Sequence, residues 1–407
     1  MPELQDVRPR LVVVCRSVSD VVGAITHAAA TGDRIVPRGG GHCFAGRSSR
    51  DGIVLDMSGL DSISVADDGL ATIGAGACLA QVYEELHTYD RTLPAGCGPT
   101  VGITGLTLGG GIGLLGRKHG LTCDRLVGAQ VVLADGRVVE CDHDHEPDLF
   151  WGLRGAGGGQ FGVVTSLRFD TVPEPMTTRI EARLPDVALD DLVSAWQAWA
   201  PDAPDELTVN LSLVAEPGAP VQAMLFGASI LEEAATRKLL REFTDRAELR
   251  SGVLYHELKR TFADLDPPGR AVRIRSEFFA HAMSGSTVAS LLTQLGETTS
   301  RRQLGFTVMG GAYNRVAEDA TAFAHRGERF LLEHVADAAD PWVDRSWATA
   351  HAEGSGRVYP NFPDPALDEW ATAYHAGNYP RLAAIKKTYD PHRFFDFPQA
   401  ILSEGEK

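Results

Sequence analysis

The sequence predicts a two-domain α+β protein, and three observations carry that prediction. Short β-branched runs separated by glycine-rich turns fill the first 175 residues. From about Arg179 to Asp340, alternating apolar runs sit between longer helical patterns, as in an antiparallel sheet with one covered face. The 43 glycines crowd into the first of these regions and thin out in the second. A length of 407 residues leaves room for two or three cores.

In chain order, strands are predicted at Val12 to Val14, Ile35 to Pro37, Ile53 to Leu55, Leu70 to Ile73, Val131 to Leu133 and Val138 to Val139. Ser19 to Ala30 and Leu79 to Tyr89 carry apolar residues at helical spacing. Pro173-Glu174-Pro175 marks a boundary. Beyond it, Leu231 to Phe243 and Ala320 to Leu332 read as helices, and Leu207 to Leu213, Ala223 to Phe226 and Phe306 to Met309 as strands. A second boundary falls within Asp337 to Asp344. The expected division is 1–175, 176–345 and 346–407, the last being dense in aromatic and turn residues.

Composition narrows the function. The net charge of −16 argues against a nucleic-acid partner, whose recognition begins with a basic face. No stretch approaches the roughly 18 apolar residues of a membrane span. The six cysteines include no Cys-x-x-Cys pair, so a zinc knuckle is unsupported. The N-terminus has no secretory pattern, and a cytoplasmic chain with reduced thiols is expected. The run Leu11 to Val14 comes close after Met1, as in a chain that starts late relative to its relatives.

Three glycine clusters stand out: Arg38-Gly39-Gly40-Gly41-His42 with Gly46 beyond, Gly96 to Gly116, and Gly152 to Gly162. Bare backbone approaches a ligand closely, and successive amides form anion-binding concavities. Three such loops suggest a large phosphorylated ligand. Gly111-Ile112-Gly113-Leu114-Leu115-Gly116 matches the dinucleotide-binding fingerprint of a nicotinamide-dependent dehydrogenase. Gly120 interrupts the helix that fingerprint requires, and Asp135-Gly136 between apolar runs reads as a hairpin turn, which argues against a βα step.

Four glycine-bearing segments carry a resemblance: Val36 to His42, Leu93 to Gly102, Leu108 to Gly113, and Asp148 to Gly155 with Phe161 to Val164. So do Tyr359-Pro360-Asn361, Trp370, Tyr374 to Leu382, Tyr389-Asp390-Pro391, Phe394 and Gln399 near the C-terminus. Over residues 10–175 and 355–402 the chain resembles FAD-linked oxidases of the berberine bridge enzyme group, which have the p-cresol methylhydroxylase/vanillyl-alcohol oxidase (PCMH-type) fold. The resemblance implies a two-part FAD-binding domain with an inserted antiparallel-sheet substrate domain.

It also implies roles. FAD would be held by Arg38, Gly39, Gly40, Gly41, Gly46, Gly98, Thr100, Val101, Gly105, Gly109, Gly110, Gly113, Val163 and Val164, and bonded through its 8α-methyl to His42. Gly98 stands where many relatives have a second, cysteinyl tether, and Cys97 lies one place early. A single bond through His42 is expected, with Cys97 a small packed residue. Val101 occupies the oxygen-gating place, its small side chain resembling that of the oxidases; ordinary loop packing is the other reading. Where relatives have a catalytic Tyr-x-Asn-Tyr, this chain ends in Phe362, which takes no proton. Tyr359 is then the expected substrate-facing group and Asn361 a contact near the flavin, each equally readable as a buried core residue. Tyr374 ranks lower.

Two further features were weighed. His143-Asp144-His145-Glu146 looks like a metal cluster but reads better as a solvated acidic loop, so no metal is expected. Glu277 lies on a predicted strand of unknown facing. The expected function is an FAD-linked oxidase moving hydride from a small alcohol, amine or secondary metabolite to flavin N5, with O2 reduced to hydrogen peroxide. A nicotinamide-dependent enzyme and a flavin-retaining protein without turnover are the alternatives. Neither the substrate nor the oligomeric state is legible.

Overall fold

The protein is seen as a computed structural model that describes residues 7–241, 243–262, 272–403 and 405. Its first sheet is parallel: β1 (Leu11–Val14), β2 (Ile35–Arg38) and β3 (Ile53–Asp56), in the order β1-β3-β2. The helix Val18–Thr31 connects β1 to β2. Ser17 and Asp20 form a capping box at its start, Gly32 ends it at φ 71°, and Val21, Ala24, Ile25 and Ala28 bury its inner face.

A second, antiparallel sheet comprises β4 (Ile63–Val65), β5 (Leu70–Gly74), β7 (Leu126–Val132), β8 (Val138–Cys141) and β9 (Val163–Asp170), ordered β4-β5-β9-β7-β8. The pair β6 (Arg91–Thr92) and β10 (Val172–Pro173) lies beside it. The expected hairpin is present: β7 and β8 are antiparallel neighbours, and Gly136 turns between them at φ 83°. Leu106 to Leu108, the only strand a dinucleotide-binding reading could use, belongs to the helix Ile103–Leu108. The helix after Gly116 lasts four residues before Gly120 stops it.

The third sheet has seven antiparallel strands: β11 (Met176–Arg183), β12 (Leu207–Ala215), β13 (Gln222–Ser229), β14 (Glu248–Leu254), β15 (Val272–Phe279), β16 (Arg302–Val308) and β17 (Phe330–Asp337). Their order is β14-β11-β13-β12-β16-β17-β15. Helices Leu189–Trp199, Gly285–Gly296 and Trp342–His351 cover one face, with Trp196, Phe279, Phe306 and Phe330 in the core between. The predicted helix over Leu231 to Phe243 is found as Glu233–Arg241. The predicted helix over Ala320 to Leu332 is absent. Its apolar residues do recur at helical spacing, but Phe330, Leu331 and Leu332 are hydrogen-bonded to both β16 and β15, and Thr321 to Arg326 form a buried irregular segment. Pairing on two sides outweighs a local preference.

The C-terminal segment returns to the first part of the chain. Its helix Tyr379–Tyr389 packs on the helix Pro147–Leu153. Lys386 fixes the return: its buried Nζ donates to Asp390 Oδ2 (2.6 Å), the Gln160 carbonyl (2.6 Å) and the Phe395 carbonyl (2.9 Å). Asp390 in turn accepts the Phe394 and Phe395 amides, at 2.7 and 3.0 Å. Replacing Asp390 with Ala would leave an uncompensated buried ammonium. A loss of about 3–5 kcal/mol is expected in denaturant unfolding, with partial recovery on adding Lys386→Met.

Candidate active site

Between the two antiparallel sheets lies a cavity of about 940 Å³, near the upper end of ligand-site volumes. Its floor is made by Gly39 to Phe44, the loop from Gly96 to Leu106, Ile112 to Leu114 and Gly157 to Gly159. Alternate residues of the seven-stranded sheet, Thr208 and Asn210 on β12, Leu331 and Glu333 on β17, form its roof. Tyr359 to Pro363 and Phe395 to Phe397 close one side.

The glycines of the floor are of two kinds. A Cβ at Gly40 would lie 2.3 Å from the Gly102 nitrogen and the Thr100 carbonyl, and one at Gly113 2.1 Å from the Ala95 carbonyl. There, glycine lets backbones pack together. Around Gly105 there is nothing within 4 Å of such a Cβ, and at Gly157, Gly158 and Gly159 the nearest atoms are 3.9, 3.8 and 3.6 Å away. All four border the cavity, where side chains would fill the space. Bare amides around an open cleft fit a flat cofactor with a phosphate bridge.

Gly39, Gly40, Gly41, His42, Thr100 and Val101 border the cavity, as do Gly105, Gly113, Val164, Tyr359 and Asn361. Arg38, Gly46, Gly98, Gly109, Gly110 and Val163 do not. Arg38 folds back over Gly41, Gly46 turns the loop at φ 67°, and Val163 is buried in the core beneath the first sheet. Gly109 and Gly110 leave room for Asn361 and Phe323. Where Gly98 stands back, Cys97 reaches the wall, and its sulfur accepts from Lys259 Nζ at 3.2 Å. Lys259 also donates to the carbonyls of Ala95 and Gly96, between the rings of Tyr83 and Tyr255. His42 is exposed on the floor, its Nε2 2.7 Å from Thr100 Oγ1.

Tyr359 and Asn361 prove to be anchors. The Tyr359 hydroxyl accepts the Gly111 and Ile112 amides, both at 3.1 Å, and Asn361 Nδ2 at 3.0 Å. Burial pushes its pKa up to about 12, so it keeps its proton at neutral pH. Asn361 Nδ2 also donates to the Leu106 carbonyl at 2.8 Å. Phe362 continues an apolar edge, its ring 5.1 Å from Tyr359 and 5.5 Å from Phe44. Tyr374 is buried and receives the Asp364 amide. His145 binds Asp142 on an exposed loop.

Glu277 faces away from the cavity, buried against His351 Nδ1 (2.8 Å) and the Gly356 amide (2.7 Å). On the roof the carboxylate is Glu333, one residue past the predicted helix Ala320 to Leu332 and on no predicted strand; Asp396 borders the cavity on its closing side. A lone Glu inside Phe330-Leu331-Leu332-Glu333-His334-Val335 was the signal that a strand reading would have used. Glu333 borders the cavity, with Thr307 Oγ1 3.4 Å away. Desolvation pushes its pKa up to about 7, against a small opposing effect of Thr307.

Comparison with known proteins decides the family. A profile described as "FAD binding domain" matches residues 9–142, and "Berberine and berberine like" matches 358–402. An uncharacterised FAD-linked oxidoreductase of Bacillus subtilis, YgaK, is 32% identical over 97% of this chain and 91% of its own length. The chain belongs to the berberine bridge enzyme-like FAD-linked oxidoreductases. Chitooligosaccharide oxidase of Gibberella zeae, another member, is 30% identical over 97% of this chain and 87% of its own. A solved chitooligosaccharide oxidase structure superposes with TM-score 0.88 at 26% identity, covering 98% and 93% of the two chains. A glucooligosaccharide oxidase from Acremonium strictum, whose structure is titled for a 6-S-cysteinyl, 8α-N1-histidyl FAD, gives TM-score 0.88 at 25% identity over 98% and 93%. The berberine bridge enzyme-like chain described here is thus an FAD-dependent oxidoreductase with a PCMH-type FAD-binding domain. Among its described residues no helix is long and apolar enough to cross a membrane.

The two kinds of glycine should respond differently. Gly40→Ala is expected to cost about 1–3 kcal/mol through backbone collision, seen as a lower melting temperature. Gly105→Ala, inside a helix, should leave the fold as stable or up to about 1 kcal/mol more so. Its ratio of flavin to protein absorbance should nevertheless fall.

Proposed function

We propose that this chain is an FAD-linked oxidase for a small organic amine or alcohol, in which Glu333 takes the substrate proton while a hydride leaves the adjacent carbon. The observation that carries the reading is Glu333 itself, a carboxyl on the cavity roof raised to a pKa of about 7. A base so tuned is half ionised near neutrality and gives back little driving force for proton transfer. FAD, when bound, would supply the hydride acceptor, with O2 as the terminal oxidant, itself reduced to hydrogen peroxide.

The other side chains position and exclude. Asn210 accepts the Val308 amide through Oδ1 at 3.1 Å, which aims the rest of its amide group along the roof. Phe44 and Phe362 make one edge of the cavity apolar. Small Val101 on the floor leaves a path for oxygen. His42 is the tether: Nε2 is engaged by Thr100 Oγ1 at 2.7 Å, which leaves Nδ1 to bond the flavin 8α-methyl. Lys259 engages the Cys97 sulfur, so one tether is the reading favoured.

The carboxyl is raised above its ordinary value, so the base form accumulates as pH rises through about 7. Anaerobic flavin bleaching by substrate should climb over that range. Glu333→Gln should lower it about 10²–10⁴-fold and flatten the profile. A substrate screened over amines and alcohols that bleaches Glu333→Gln as fast as the parent would refute the assignment. In acid-precipitated protein the flavin should stay with the chain, and leave it in His42→Ala; retention in that variant would rule out the tether.

A further inference from the structure

We propose that His87, Glu174 and His256 form a zinc site pinning the two halves of the molecule together. His87 ends the helix Leu79–His87, His256 lies in the helix Tyr255–Arg260, and Glu174 stands between β10 and β11, where the chain passes from one antiparallel sheet to the other. His87 Nδ1 is 2.6 Å from Glu174 Oε2, and His256 Nδ1 3.0 Å from Oε1. The three ligand atoms lie within 4.8 Å of one another. An ion with bonds of about 2.0–2.2 Å closes that spacing after small side-chain shifts.

Charge and packing favour an ion. The Glu174 side chain is 2% exposed, and among the described residues its only ion-pair partners are the two imidazoles. Those rings are stacked, with centroids 3.6 Å apart and planes 22° apart. Two imidazolium ions so placed would repel strongly, while two neutral rings would leave the buried carboxylate hydrogen-bonded, by the His256 amide at 2.7 Å among others, but with no opposite charge. A divalent cation removes both difficulties. It takes neutral imidazole nitrogens as ligands and supplies the charge opposite Glu174. Two imidazoles and a carboxylate suit zinc better than magnesium or calcium, which favour all-oxygen shells. His87 is 35% exposed, which leaves an open side for a water as fourth ligand. Glu84, held by Arg260, adds negative charge nearby.

The site reaches the cavity through one helix. His256 and Lys259 lie one turn apart, and Lys259 holds the Cys97 sulfur on the cavity wall. The ion would therefore clamp the wall without touching the substrate.

The test uses flavin-loaded protein stripped with a chelator, then equilibrated with micromolar ZnCl2 or with MgCl2 and desalted. Elemental mass spectrometry should find about one zinc per flavin, and zinc alone should raise the melting temperature. His87→Gln, at the exposed ligand, should keep its flavin yet lose most of the zinc. Parent protein that takes up no zinc, or His87→Gln that binds as much as the parent, overturns the proposal. Flavin content, read in the same samples, reports separately on the oxidoreductase reading.

Discussion

The architecture depends on two stretches of backbone that almost touch. At Gly40 and Gly102 the first glycine loop and the loop after Pro99 come so close that neither position admits a Cβ: one at Gly102 would lie 2.5 Å from the Gly40 nitrogen. This contact joins the end of β2 to the start of the helix Ile103–Leu108. It thereby brings His42 beside Thr100 and leaves Gly39 and Gly105 at the border of the cavity, Gly105 with nothing within 4 Å of a Cβ. Any side chain at the contact would part the loops and disperse the residues of the floor.

A second constraint acts from the far end of the chain. Tyr359 and Asn361 reach across some 250 positions to hold the turn Gly109 to Ile112, and the Lys386–Asp390 pair holds the segment that follows. The tyrosine hydroxyl stands in for solvent on amides that the glycine turn leaves without a helical partner. The C-terminal segment therefore completes the floor, and a chain lacking it would expose those donors.

Legibility followed the range of the forces involved. Gly136 in a tight turn and Ser17 with Asp20 at a helix start act over a few residues, and the hairpin and first helix were readable from them. The residues Phe330 to Leu332 were not: their helical spacing is a local signal, whereas their strand state comes from neighbours in β15 and β16 far away in sequence. Glu333 lies just past that stretch, and only its register in the sheet turns it toward the cavity. Among the glycines, the motif identified the cluster but not which members face ligand space. Gly109 and Gly105 are alike in sequence, and only Asn361, brought from the other end, separates them.

The replacement of a tyrosine by Phe362 takes on a different meaning once Glu333 is in view. On the floor, a hydroxyl beside Tyr359 would have competed for the same few amides and carried water to the edge of the cavity. Phe362 instead packs edge-on against Tyr359 and Phe44, making that edge apolar. On the roof, burial of Glu333 itself pushes its carboxyl toward a neutral-range pKa by desolvation. On the reading proposed above, the roof carries the proton transfer and the glycine floor holds the cofactor.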